Sequence, residues 1–99
     1  MNIIIKNKKL IVKPFKYFSG RNGLMLIDYE TGKDYMPATL DIENIPILAN
    51  EVIVKNHDLQ YGVLDALTKA KIIDKQHINK TLGVHTVFVC KLKETPPQN

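Results

Sequence analysis

Apolar residues along the chain come in short β-branched runs separated by polar turns, and longer helical periodicity occurs once. Ile3-Ile4-Ile5 and Leu10-Ile11-Val12 flank Lys6-Asn7-Lys8-Lys9, a pattern that predicts a β-hairpin closed by an Asn-containing turn. Pro14 carries no backbone donor, so it is expected to end the second strand or to place it on an edge. Ser19-Gly20-Arg21-Asn22-Gly23 is the strongest turn signal, with Asn22-Gly23 expected to reverse the backbone. Residues 24–29 then read as a strand, and residues 30–33 as a turn with Gly32 in the left-handed position. Residues 34–42 alternate strictly. Met36, Ala38, Leu40 and Ile42 share one face, and Pro37 marks an edge or an interruption.

The second half has a different rhythm. Glu51-Val52-Ile53-Val54-Lys55 is a short strand, and Asn56, His57 and Asp58 are cap residues for a helix over 58–71. Leu59, Val63, Leu67 and Ala70 form its apolar stripe, and Gly62 either lets another backbone approach closely or is simply tolerated in the first turn. Residues 74–83 read as a polar connection. Residues 84–92 read as a last strand, apolar on both sides in its middle and therefore central. These elements predict an α+β fold: a mostly antiparallel sheet of five or six strands with one main helix packed on one face. A single domain is expected over 1–94, followed by a disordered tail over 95–99, where two prolines and polar flanks offer nothing to bury.

Composition narrows the setting. With 99 residues and 44% hydrophobic content, the chain supports one modest core. One cysteine, Cys90, allows neither an internal disulfide nor a thiolate cage, which favours a reducing cytoplasm. No apolar run is long enough for a signal peptide or a membrane helix, so no membrane partner is expected. The net charge of +4 is unevenly spread. Lys6, Lys8, Lys9, Lys13, Lys16 and Arg21 stand in the first 23 residues without an acid. Residues 24–60 carry seven acids against two lysines, and residues 61–99 six lysines against three acids. The six early basic residues are the candidate contacts for nucleic acid or an acidic partner, against the plainer reading of lysines that guard strand edges.

Catalytic chemistry finds little support. Cys90 alternates with Phe88 and Leu92, a core pattern rather than an exposed nucleophile's. His57, His77 and His85 lack the i, i+4 spacing of a helical metal pair, and the carboxylates stand singly. No cofactor or metal site is expected. Gly20-Arg21-Asn22-Gly23 matches the form of a phosphate-clamping G-x-x-G loop, but it lies between strands, where a hairpin turn is the simpler meaning. Tyr17, Phe18, Tyr29 and Tyr35 interleave with Lys16, Arg21 and Lys33. That pattern suits base stacking, and equally suits ordinary strands.

From Tyr17 to Leu92 the order of features resembles a family of small uncharacterised proteins carried by bacteriophages, plasmids and integrative elements of bacteria. The resemblance rests on Tyr17 with Asn22-Gly23, the strand and turn from Ile27 to Gly32, and Thr39-Leu40 with Ile42. It continues through 50–56, Gly62-Val63-Leu64-Asp65-Ala66-Leu67, Ile72-Ile73 and the closing strand. It implies an accessory protein of a mobile element and carries over no catalytic residues. The expected function is accordingly non-enzymatic binding of a host or element-encoded protein, for example a defence or regulatory factor. The alternative is a nucleic-acid-binding module using the basic N-terminal third. An exposed strand edge would also allow a homodimer.

Overall fold

A computed structural model describes residues 1–82 and 85–93. The first hairpin joins β1 (Asn2–Ile5) to β2 (Lys8–Lys16) through Lys6 and Asn7, both left-handed at φ 51° and 65°. Two positive φ values in a two-residue loop are the type I′ geometry that matches strand twist. β2 runs past Pro14 and pairs along its length with β3 (Asn22–Asp28). Pro14 is tolerated because β2 has outrun β1 there: Val12 N donates to Met1 O, and no β1 residue stands beside position 14. β4 (Asp34–Pro37) completes a four-stranded antiparallel sheet in the order β1-β2-β3-β4.

The expected single sheet of five or six strands is replaced by two sheets of four. β5 (Thr39–Leu40), β6 (Glu51–Lys55), β7 (Ile73–Leu82) and β8 (His85–Leu92) form the second, in the order β5-β6-β8-β7. The chain changes sheets at Ala38. Its N–H donates to Leu24 O at 2.9 Å in the first sheet, and its C=O accepts from Lys55 N at 3.1 Å in the second. The interruption expected near Pro37 is this crossing.

The helix is shorter than its apolar stripe suggests. Residues 58–60 form a 3₁₀ turn, and α1 spans Val63–Lys69. Gly62 lies at φ 98°, which no α-helical residue adopts, so the helix cannot run through it. Asn56 Oδ1 accepts from Gly62 N and Leu64 N, both at 3.0 Å, satisfying donors at the restart. Leu59, expected on the core stripe, is 75% exposed. At the other end Lys71 turns left-handed, Lys71 N donates to Thr68 O and Ile72 N to Leu67 O. That is a Schellman stop made without glycine, sealed by buried Leu67 and Ile72.

The expected polar connection at 74–83 is largely strand β7, which pairs with β8 through a bulge between Ile73 and His77. Its residues 75–81 are exposed on both faces, so no alternation announces it. β8 is central, as its apolar middle implies, with β6 on one side and β7 on the other. The expected start of that strand at Val84 and the expected tail at 95–99 lie outside the described residues. Asn22 and Gly23, expected to make the second turn, instead open β3. The reversal lies at 17–21, where Gly20 has φ 89°. The main core lies between the inner faces of the sheets, with Leu10, Leu24, Leu26, Val52, Val54 and Cys90 closed over by Val63 and Leu67 of α1.

Candidate interaction surface

Strand parity decides where the six early basic residues go. Lys8 and Lys16 share the inner face of β2 with Leu10 and Val12, at the two ends of the core. Lys8 Nζ meets Asp28 Oδ2 at 2.8 Å and lies 5.0 Å from the centre of the Tyr35 ring. The hydrogen bond between them raises the Lys8 pKa and, with the backbone N–H groups of Glu30 and Thr31, lowers that of Asp28. Lys16 Nζ donates to Asn22 Oδ1.

Arg21 is engaged further inside. Its Nη1 donates to Ile42 O at 3.1 Å and its Nη2 to Ile45 O at 2.6 Å, while Nε faces Asp41 Oδ1 at 3.4 Å. Ser19 Oγ donates to the other oxygen of Asp41 at 2.7 Å. Buried Asn22 donates from Nδ2 to Ala49 O. Arg21 and Asn22 thereby strap the 41–50 connection across the outer face of the second sheet, where Ile45 with Ile42 and Ile47 covers Ile53, Val87 and Val89. Three of the six residues therefore face internal partners, and the structure does not gather the six into one patch.

Lys6, Lys9 and Lys13 remain on the exterior. Lys6 is in the hairpin turn, and Lys9 and Lys13 lie on the outer face of β2. Lys9 Nζ stacks 4.1 Å from the centre of the Tyr29 ring. Between and beside these lysines the first sheet shows apolar side chains. Register places Ile4 opposite Lys9, Ile11 opposite Ile27, and Met25 between Lys13 and Pro37. Phe15 lies over Gly23: a Cβ at Gly23 would sit 2.5 Å from Phe15 Cζ and 2.7 Å from Tyr17 Cε2. The two rings meet edge-on at 4.7 Å, and Tyr17 Oη is 2.8 Å from Thr39 Oγ1. Burial raises the Tyr17 pKa. Gly23 thus makes room for aromatic rings rather than for a phosphate.

Ile4 is 66% exposed, while Ile11, Phe15, Met25 and Ile27 are half-buried. These residues were missed as a surface, although the signal is present. Ile3-Ile4-Ile5, Leu10-Ile11-Val12 and Leu24 to Ile27 are unbroken apolar runs, and period two puts half of each run opposite the core.

The other chemical candidates are placed as follows. Cys90 is buried, its Sγ 3.6 Å from Phe88 O, and burial pushes its thiol up to about 12, away from the thiolate a nucleophile requires. The His77 ring packs edge-on to Phe88 at 5.0 Å. Among the described residues no cluster of three His, Cys, Asp or Glu is placed to hold a metal ion, and no helix is long and apolar enough to cross a membrane. Comparison with family models, with curated proteins and with solved structures returns no match to this chain.

Proposed function

We propose that the protein is a non-enzymatic binding protein that docks an acidic, partly apolar protein surface on the outer face of its first sheet. The observation that carries this reading is that face itself. Ile4, Ile11, Phe15, Met25 and Ile27 share one side of a sheet, with Lys9 and Lys13 interleaved among them along β2 and Lys6 in the turn at its end. Surfaces of this kind bind by excluding water from their apolar side chains, while the charges beside them choose the partner and speed its arrival. The resemblance to accessory proteins of mobile elements makes the partner a protein of the bacterial host cytoplasm, such as a defence or regulatory factor.

Nucleic acid is the alternative, and the fate of the lysines weighs against it. Lys8 and Lys16 keep solvent exposure but are bonded to Asp28 and Asn22, and Arg21 is bonded to the 41–50 connection, which leaves Lys6, Lys9 and Lys13 as the early cations without such a bond to give up. Three neutralised phosphates would give a slope of log affinity against log salt of roughly −3, a shallow dependence for a nucleic-acid binder.

The test compares capture from host lysate by the native chain, by Ile11→Ser/Ile27→Ser and by Lys13→Glu. A stoichiometric protein that the native chain retains should be lost with the double variant and weakened by Lys13→Glu. Retention of that protein by both variants refutes the reading. So does recovery of nucleic acid alone.

A further inference from the structure

The second sheet ends in an edge of unusual form. β7 is ten residues long and, among the described residues, pairs with β8 on one side only. Hydrogen-bond parity tells which of its backbone groups are unused. Leu92 N donates to Asn50 O at 2.8 Å, so even-numbered residues of β8 turn their backbone groups toward β6. Lys93 N donates to Ile72 O at 3.0 Å, so the odd-numbered ones turn toward β7. Ile78 stands opposite Val89 and Lys80 opposite Val87, and these two therefore face β8. The N–H and C=O groups of His77, Asn79 and Thr81 point away from the sheet.

We propose that β7 pairs antiparallel with β7 of a second copy about a two-fold axis through Ile78, joining two second sheets into one of eight strands. Outward groups meet outward groups only in registers that pair odd residues with odd. That condition removes every register that would set Lys75 against Lys80. With the axis at Ile78, His77 pairs with Asn79 of the second copy, Gln76 faces Lys80, and Lys75 faces Thr81. Ile78, 58% exposed in the single chain, then meets Ile78 of the second copy in a close non-hydrogen-bonded pair. Axes at His77 or Asn79 leave Ile78 opposite Gln76 or Lys80. Lysines commonly guard strand edges by repelling a like edge. Here both lysines meet neutral residues, so the guard fails against this one partner. The inference uses a surface separate from the outer face of the first sheet and does not depend on the docking reading.

Light scattering of the intact chain over a range of concentrations tests the proposal. The native mass should rise toward twice 11.3 kDa. Asn79→Pro removes an outward N–H that takes no part in the β7–β8 ladder, so it should leave the fold intact and the chain monomeric. Ile78→Cys under mild oxidation by diamide should give a disulfide-linked dimer, because two copies of position 78 face each other, and Lys80→Cys should not. The buried Cys90 does not compete. A native mass of 11.3 kDa at every concentration overturns the proposal. So does a dimer that survives Asn79→Pro, or equal cross-linking through positions 78 and 80.

Discussion

The two sheets share a core and differ on their outer faces. In the second sheet, Ile53 and Val87 are fully buried and Val89 nearly so, because the 41–50 connection lies across them and Arg21 and Asn22 bind it down. In the first sheet, the equivalent positions Ile4, Ile11, Met25 and Ile27 have no such cover among the described residues and stay half-buried or exposed. An apolar outer face therefore means different things in the two halves. In one it adds to stability, and in the other it remains available to a partner. What separates the cases is a loop fastened by two side chains more than twenty positions earlier in the chain.

The largest expected difference is in packing. Ile53→Ala should cost about 3 kcal/mol in urea unfolding, the ordinary cost of a cavity at a closed site, and Ile11→Ala on the open face less than about 1 kcal/mol. Equal costs would mean that the first sheet is covered as well. Next is the strap. Arg21→Ala should lose about 2 kcal/mol and raise amide exchange across 41–50, and Arg21→Lys should restore little, since a lysine cannot reach two carbonyls with a rigid fork. Unchanged exchange in that segment would show that the loop holds itself.

The smaller effects are read through pH. Cys90 lies on the inner face of the second sheet with its thiol pushed up to about 12 by burial. A raised folded value contributes stability that is complete below the unfolded thiol value of about 8.5 and is lost as pH climbs toward the folded one. The urea midpoint of the native chain should therefore fall more between pH 8.5 and 10 than that of Cys90→Ala. The smallest effect belongs to the Lys8–Asp28 pair at the end of the first sheet. The depressed carboxyl contributes above its unfolded value, near pH 4, and loses that contribution as pH falls through the folded value. Asp28→Asn should flatten the acid limb of the stability profile slightly. A full-sized change in that limb would show the pair to be shielded from solvent despite its exposed lysine.

Much of the first half was legible because local rules govern it. The Lys6-Asn7 hairpin, the Gly32 turn and the break near Pro37 each follow from one or two residues whose backbone preferences are strong. The core position of Cys90 follows from its place between Phe88 and Leu92 on one face, and the central place of β8 from apolar residues on both of its faces. The second sheet was harder to read. β7 is exposed on both faces, so its strand state comes from pairing with β8 and leaves no pattern of its own. α1 is closed off at Lys71, where a lysine takes the place usually held by glycine, and begins after Gly62, whose residue type alone does not distinguish a helix start from a tolerated or closely packed position. Asn22-Gly23 has the form of a turn, yet it is fixed in a strand by the Phe15 ring and by the bond from Asn22 to Ala49. The candidate cations were found as a group, but their roles divided along strand parity and long-range bonds that charge counting does not see.

Ala38 gives both halves a common fate. Its N–H is bonded to Leu24 in one sheet and its C=O to Lys55 in the other, and the residue has no exposed surface. Neither sheet can detach from that residue without leaving one of its buried backbone groups unpaired, so heating should produce one denaturation step in which both sheets melt together.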